Sequence, residues 1–179
     1  MANSSNGLSK GHLTTKQVAL CGLLTCVMLV LGFIESLIPI NAGIPGIKLG
    51  LSNCVLLFAL YTLSAPIAGL LMLLKVVLSG LLFGGVSAMM YALAGGVVSM
   101  ACMIVLKKLK FSVIAVSMVG AVAHNAGQVG LAMVLLKHSG LLYYLAVLAL
   151  VGLGCGLLTG LCAKAVIPYF SKKTGGSTP

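Results

Sequence analysis

The chain has 179 residues, of which 60% are hydrophobic and only 7% are charged, and its mean hydropathy is +1.21. Soluble domains carry about 25% charged residues, so this composition excludes a water-soluble globular protein and indicates an integral membrane protein. The formal charge of +10 does not indicate nucleic-acid binding, because the lysines form no single basic face and aromatic residues for base stacking make up only 6% of the chain.

Six apolar runs follow one another along the chain, and each is a candidate for a membrane-spanning helix. They cover residues 17–38, 48–63, 65–84, 87–106, 112–136 and 141–167. A spanning helix needs about 20 mainly apolar residues, so the second run is short and the third is barely long enough. We therefore predict an all-α fold, a polytopic integral membrane bundle of six transmembrane helices over residues 17–167, between flexible polar segments at 1–16 and 168–179.

Residues that end helices separate these runs. The breaks fall at 39–46, 64–66, 84–85, 107–110 and 137–140, and they are rich in proline, glycine and lysine. The first run continues to Pro39 without an Ala-x-Ala type cleavage site, so we interpret it as a membrane helix and not as a signal peptide.

The lysines predict the orientation in the membrane. With the N-terminus in the cytoplasm, six helices leave only Lys48 and Lys137 near the outer face and Lys75 within a span. The cytoplasmic side then holds Lys10, Lys16, Lys107, Lys108, Lys110, Lys164, Lys172 and Lys173. Because basic residues concentrate in cytoplasmic loops, we expect both termini in the cytoplasm and a multi-pass protein of the cell membrane.

Small residues repeat every four positions in three runs, which predicts close helix packing. These stripes are Gly152, Gly156 and Gly160 in the last run, Ala88, Ala92 and Gly96 in the fourth, and Gly22 and Cys26 in the first. The stripes in the fourth and last runs favour packing inside the bundle. For the short stripe in the first run two interpretations stay open, internal packing and docking of another membrane subunit.

Metal-dependent and acid–base chemistry is not indicated. The six cysteines lie in apolar runs, without Cys-x-x-Cys spacing and without a histidine at ligand spacing, so we interpret them as packing residues. Glu35 is the only acidic residue, which excludes paired-carboxylate catalysis within this chain, and the chain has no Gly-x-x-x-x-Gly-Lys-[Ser/Thr] loop for phosphates. We therefore expect no enzyme activity, no metal and no cofactor.

Polar side chains inside the apolar runs are the strongest functional signal, because ionisable groups in hydrocarbon are costly unless they face a cavity or a partner. At a rise of about 1.5 Å per residue, nearly all of them fall in the outer half of the bundle. We predict that they line one outward-opening pocket for a small anionic or amphipathic ligand, with the loop 41–47 as a wall or lid. The predicted pocket residues are Glu35, Lys48, Asn53, Lys75, Tyr91, His124, Asn125 and Gln128.

Each of these residues also has a structural interpretation. Glu35 is as well suited to pair with a lysine as to contact a ligand. Lys48 is placed to extend toward the outer interface, and the polar pair at 124–125 is suited to hydrogen bonds between helices. Tyr91 is typical of the interfacial aromatic belt. Lys75 is the hardest to explain structurally, because a lysine in the middle of a span cannot reach water cheaply.

Four segments resemble the bacterial Gx transporter family, which is also labelled heptaprenyl diphosphate synthase component I. They are 31–39 (Leu-Gly-Phe-Ile-Glu-Ser-Leu-Ile-Pro), 45–53 (Pro-Gly-Ile-Lys-Leu-Gly-Leu-Ser-Asn), 87–96 (Ser-Ala-Met-Met-Tyr-Ala-Leu-Ala-Gly-Gly) and 124–128 (His-Asn-x-x-Gln). The resemblance covers about residues 17–167. More distantly, the six short spans are similar to the substrate-binding S components of energy-coupling factor transporters.

The two labels imply different roles. As an S component, the chain captures a small vitamin or cofactor precursor from outside, while a separate T subunit and ATPase subunits supply the energy. The first helix of such proteins docks through an Ala-x-x-x-Ala pattern, for which Gly22 and Cys26 are the nearest match. As a prenyl synthase component, the chain lacks the Asp-rich Mg²⁺-diphosphate motifs of those enzymes and serves at most as a non-catalytic accessory subunit of heptaprenyl diphosphate or quinone synthesis. We expect the transport role and keep the accessory role, or a channel or self-sufficient carrier, as alternatives.

Overall fold

A computed structural model of the chain describes residues 15–37, 50–137 and 140–174, with side chains up to residue 170. The helices in chain order are α1 (Thr15–Leu37), α2 (Leu51–Thr62), α3 (Ala65–Ser79), a π-helical turn (Gly80–Gly84), α4 (Gly85–Lys108), α5 (Val113–Leu136) and α6 (Leu141–Thr174). The described ranges contain helices and no strand, which confirms the predicted all-α class.

The helix boundaries follow from the local sequence. Ser64 precedes α3, and its hydroxyl accepts a backbone N–H of the first turn at 3.5 Å. Ser112 caps α5 in the same way, with the N–H of Ala115 at 3.2 Å. Gly50 precedes α2 at φ +73°, a left-handed conformation that glycine adopts without strain. The predicted break at 64–66 therefore coincides with a capped helix start, and the break at 107–110 ends two residues before another.

Four helical segments are long and apolar enough to cross a membrane: Thr15–Leu37, Ala65–Lys108, Val113–Leu136 and Leu141–Phe170. The helix in the second predicted span, α2, has only 12 residues. It extends about 18 Å, well short of the roughly 30 Å of a hydrocarbon core. The multi-pass membrane class is thus supported, whereas helix length does not support the prediction of six spanning helices.

The segment that contains α3 and α4 folds back on itself. A Cβ atom on Gly80 would lie 2.7 Å from Cβ of Met89, and one on Gly96 would lie 2.8 Å from Sδ of Met72. In a straight helix these pairs would be about 13 and 36 Å apart, so α3 and α4 lie antiparallel. The π-helical turn and Gly85, at φ +74°, make the reversal at the predicted glycine break.

The helices form a ring. α1 contacts α2 and α3, α2 also contacts α6, α3 contacts α4, and α5 lies between α4 and α6. Glycines bring the backbones of the last three helices together. A Cβ on Gly127 would lie 2.8 Å from the carbonyl oxygen of Ala94, and one on Gly156 would lie 2.6 Å from Cα of Met118. These distances leave no room for a side chain, so the predicted internal packing of the stripe in the last run is confirmed.

The C-terminal end of α2 is held by a lysine of α4. Nζ of Lys107 donates to the carbonyl oxygen of Leu60 at 2.5 Å and lies 5.0 Å from the centre of the Tyr61 ring. Carbonyls in the last turn of a helix have no partner in their own helix, so Lys107 satisfies one of them and also makes a cation–π contact. This contact gives the C-terminal end of the short helix a polar partner on α4.

The last helix is longer than predicted. α6 continues past residue 167 and through Pro168 to Thr174. Proline removes one backbone donor and disturbs the preceding turn, but the helix resumes because its other hydrogen bonds remain. The rest of the two terminal segments that the sequence predicts to be flexible, 1–14 and 175–179, lies outside the described residues.

Candidate ligand-binding cavity

A cavity of about 270 Å³ lies inside the helix ring and is lined by residues of all six helices. Its head end lies where α1 and α3 end and α2 and α4 begin, beside Glu35, Gly50 and Gly84. Its deep end reaches Ser117 and Thr159. Ligand pockets in proteins measure about 300–1,000 Å³, so this cavity lies at the small end of the range and suits a small molecule.

Most of the predicted pocket residues meet in this cavity. The lining includes Glu35, Asn53, Lys75, His124, Asn125 and Gln128. Tyr91 is half-buried and does not belong to the lining, because it is turned by about 100° from the face that α4 presents to the cavity. Lys48 and the loop 41–47 lie outside the described residues. The structure therefore brings six of the eight residues together.

Lys75 and Asn53 form a polar pair near the head end. Nζ of Lys75 donates to Oδ1 of Asn53 at 2.8 Å, which joins α3 to α2. An ammonium group carries three hydrogens and an amide carries two, so both residues are hydrogen-bond donors at this end of the cavity. A ligand group that accepts hydrogen bonds or carries negative charge fits this end of the cavity.

Glu35 holds the end of α1 against the start of α2. Its carboxylate accepts the backbone N–H of Gly50, and the side chain is only 8% exposed. The first N–H groups of a helix have no helical partner and carry partial positive charge, so a buried carboxylate is stabilised there. The only acidic residue of the chain thus has a structural role that the sequence did not indicate, while it also lines the cavity.

The polar residues of α5 face two different neighbours. A Cβ on Gly95 of α4 would lie 2.8 Å from Cγ of Gln128 and 3.0 Å from Cε1 of His124, so this glycine makes room for both side chains. Asn125 instead reaches α6, where its Nδ2 donates to the carbonyl oxygen of Leu148 at 2.8 Å. The expected hydrogen bonding between helices is therefore found for Asn125, which also lines the cavity.

Three buried hydroxyl groups at the deep end were not predicted. Oγ of Ser99 donates to the carbonyl oxygen of Gly120 at 2.8 Å. Oγ1 of Thr159 lies 2.9 Å from the carbonyl oxygen of Cys155 and 3.0 Å from Oγ of Ser117. Both contacts are hydrogen bonds when Thr159 donates to the carbonyl and Ser117 donates to Thr159. Since a hydroxyl has one hydrogen, Ser99 and Ser117 then offer only lone pairs to a ligand.

The two ends of the cavity therefore differ in polarity. Lys75 and Asn53 line the head end, and hydroxyl residues line the deep end, with apolar residues such as Met28 and Leu57 between them. This arrangement suits a small amphipathic molecule with an acceptor or anionic group at one end and hydrogen-bond donors at the other. Within the described ranges no group of three or more His, Cys, Asp or Glu side chains is placed to hold a metal ion.

The predicted docking residues lie on the outside of the bundle. Gly22 and Cys26 are both exposed, and a Cβ on Gly22 would meet no atom within 4 Å. The opposite face of α1 carries the buried residues Leu24 and Met28. Among the described helices nothing lies close to Gly22, which argues against internal packing, one of the two interpretations left open by the sequence.

The chain matches one known protein family over most of its length. The sequence model of one family, heptaprenyl diphosphate synthase component I, matches residues 24–166, which is most of the chain. The chain belongs to this family. The matched region of this heptaprenyl diphosphate synthase component I protein includes every residue that lines the cavity, whereas Gly22 lies just before it. No curated protein and no solved structure matches the chain. These comparisons show no relation to energy-coupling factor S components.

Proposed function

We propose that this protein is the substrate-binding membrane subunit of a transporter, similar to an S component, for a small anionic vitamin or cofactor precursor. The observation that carries the proposal is the cavity, where costly polar groups from several helices meet in one space inside an otherwise apolar bundle. Ionisable residues within membrane helices are typical of substrate pathways. Lys75 supplies the positive charge that favours an anionic ligand.

The size of the cavity favours a vitamin-sized molecule. A cavity at the small end of the range for ligand pockets favours a small heterocycle with a short polar chain over a complete chain of seven isoprene units. The hydroxyl groups at the deep end add to this argument, because an apolar tail would leave their lone pairs without partners.

The energy for transport would come from separate subunits. With one acidic residue and no phosphate-binding loop, the chain has no carboxylate pair to hold Mg²⁺ and ATP. We propose that a T subunit docks on the exposed face of α1 at Gly22 and Cys26, where the lack of bulky side chains allows a helix backbone to approach closely. ATPase subunits would then act through the T subunit.

We also propose that the helices cross the membrane six times, with both termini in the cytoplasm. The reversal at Gly85 divides the longest segment into two limbs. The first limb combines the 15 residues of α3 with the 5 of the π-helical turn, about 30 Å in all. An even number of crossings keeps the lysine-rich ends on one side. A reporter enzyme fused to the C-terminus, active only in the cytoplasm, tests this topology.

A second candidate function is favoured by the family name. As a non-catalytic accessory subunit of heptaprenyl diphosphate or quinone synthesis, the protein would bind the prenyl synthase that carries the Asp-rich motifs, and its cavity would hold only one end of a prenyl diphosphate. A neighbouring gene for a T subunit or ATPase favours transport, and a neighbouring gene for an Asp-rich prenyltransferase favours the accessory role.

Reconstitution separates the two functions. The protein is placed in liposomes with candidate T and ATPase subunits, and uptake of radiolabelled pantothenate and biotin, two carboxylate-bearing precursors that are anionic at neutral pH, is measured with and without ATP. The same preparation is tested for stimulation of a prenyltransferase. ATP-dependent uptake that Gly22→Leu abolishes, and that the matched exposed-glycine variant Gly154→Leu retains, supports the proposal. Stimulated prenyl synthesis without any uptake supports the second function instead.

A further inference from the structure

Phe83 lies in the cavity wall between α1 and the π-helical turn. Phe83 lines the cavity and is nevertheless 48% exposed. Phe33 of α1 packs against it from outside the lining, with ring centres 5.2 Å apart and ring planes tilted by 38°. The side chain of Phe83 therefore stands between the cavity and the exterior of the bundle.

The outer surface beside this ring is apolar. Large hydrophobic side chains there are strongly exposed, namely Leu81 (71%), Leu82 (60%), Val86 (65%), Ile34 (42%) and Leu37 (63%). An apolar surface of this kind on a membrane protein contacts lipid and not water. A molecule that passes Phe83 therefore comes from the bilayer.

Glycines, which have no side chain, lie on both sides of the Phe83 ring. Gly32 of α1 and Gly84 of the π-helical turn both line the cavity, and a Cβ on Gly32 would meet no atom within 4 Å. Gly85 follows directly at φ +74°, where a side chain would be strained. With no side chains on these glycines, the Phe83 ring fills a gap that would otherwise be open. Short π-helical segments are rare and often occur at functional sites.

We infer that Phe83 gates a lateral portal through which an amphipathic ligand enters the cavity from the bilayer, between α1 and the π-helical turn. The ligand class that follows is a molecule that partitions into the membrane interface, with its polar end leading toward Lys75. This inference depends on membrane embedding and on the cavity, and it holds whether the protein serves transport or prenyl synthesis.

Cys155 provides a native probe inside the cavity, because its free thiol belongs to the lining and is half-buried. The full-length protein in phosphatidylcholine liposomes is labelled either with lipid-soluble N-phenylmaleimide or with a charged, water-soluble sulfonatoethyl methanethiosulfonate. Mass spectrometry of the Cys155 peptide gives the labelling rate. The exposed Cys26 gives an internal reference for N-phenylmaleimide, and the same protein denatured in SDS gives the reference for the charged reagent.

The variant Phe83→Ala is compared with Leu82→Ala, whose side chain is exposed and does not line the cavity. Phe83→Ala is expected to speed lipid-soluble labelling of Cys155 by about two- to tenfold, the change that corresponds to loss of an aromatic pair worth about 0.5–1.5 kcal/mol. Labelling by the charged reagent is expected to stay unchanged, and Leu82→Ala is expected to change neither rate. Faster labelling by the charged reagent, an equal effect of Leu82→Ala, or unchanged rates in Phe83→Ala would overturn the portal. If Phe83→Ala does not fold, Phe83→Leu keeps an apolar side chain and decides by the same criteria.

Discussion

Lys75 of α3 donates a hydrogen bond of 2.8 Å to Asn53 of α2, two residues that are 22 positions apart in the chain and meet at the cavity. The bond orients both side chains and gives a lysine in the middle of an apolar helix a polar partner. The ammonium group brings a positive charge to this end of the cavity, which favours an acceptor or anionic group of a ligand. We therefore expect ligand binding at this end of the cavity to depend on Lys75 more than on any neighbouring apolar residue.

Replacement of the lysine tests that dependence. Lys75→Met keeps the length of the side chain and removes the charge, and it is expected to weaken ligand binding by about ten- to a hundredfold, because hydrogen bonds to charged groups contribute about 1.5–3 kcal/mol. The measurement is the amount of small molecule that co-purifies with the protein, quantified by mass spectrometry. Lys137→Met, at an exposed position, is the control and should retain the ligand. Equal ligand in both variants would argue against a role of Lys75 in binding.

A substitution among the hydroxyl residues of the deep end tests ligand binding separately from the stability of the fold. Ser117→Ala leaves Thr159 its bond to the carbonyl of Cys155, so the melting temperature in detergent should change little. Loss of one acceptor for the ligand should weaken binding by about two- to tenfold, the effect of roughly 0.5–1.5 kcal/mol per hydrogen bond. The exposed Ser87→Ala, outside the cavity lining, serves as the control. A lower melting temperature with unchanged binding would show that Ser117 serves packing alone.

The same substitution at two glycines of α5 is expected to have opposite effects on the stability of the protein. In Gly127→Ala the new methyl group would lie 2.8 Å from the carbonyl oxygen of Ala94, so the helices must separate, at a cost of about 1–3 kcal/mol. In Gly130→Ala the methyl group meets no atom within 4 Å, and the better helix former should be neutral or stabilising by up to about 1 kcal/mol. Thermal unfolding in detergent micelles measures both. Similar melting temperatures for the two variants would contradict the close contact of α4 and α5.

Two neighbouring lysines at the end of α4 test whether a specific contact or positive charge alone stabilises the protein. Lys107→Ala removes the hydrogen bond to the carbonyl of Leu60 and the contact with Tyr61, and it should destabilise the protein by about 1.5–3 kcal/mol. Lys108 is exposed, and Lys108→Ala removes the same charge without these contacts. Unfolding in detergent should therefore distinguish the variants. If both lose the same stability, the effect comes from the charge and not from the end of α2.

The cavity residues that could be predicted from the sequence are those whose presence in a membrane is costly. Lys75, His124 and Gln128 stand out in apolar runs for this reason, and the structure brings them to one cavity. The hydroxyl residues Ser99, Ser117 and Thr159 were not predicted, because serine and threonine cost little free energy in membrane helices and a single one does not indicate a site. The spacing of these residues does indicate a shared face. On α5, Ser117 and Gly120 continue the three- and four-residue spacing that leads to His124, so the sequence could have placed them on the same side of the helix.

The second helix shows what the sequence could not supply. Its apolar run predicts a helix, and one forms, but its length depends on contacts with other parts of the chain. At the start of α2, Glu35 of α1 accepts the backbone N–H of Gly50. At its other end, Lys107 of α4 donates to the carbonyl oxygen of Leu60. Both are tertiary contacts over long sequence separations, and no local pattern announces them. The same holds for Tyr91, which a rotation about the axis of α4 carries away from the cavity.

The central claim is that the cavity holds one small molecule, and native mass spectrometry of the detergent-solubilised protein tests it most directly. The account predicts a single small-molecule adduct on the wild-type protein, reduced in both Lys75→Met and Ser117→Ala and retained in Lys137→Met. A wild-type protein that carries no adduct after incubation with the extract of its own host membranes and cytosol, or an adduct that all these variants retain equally, would contradict it.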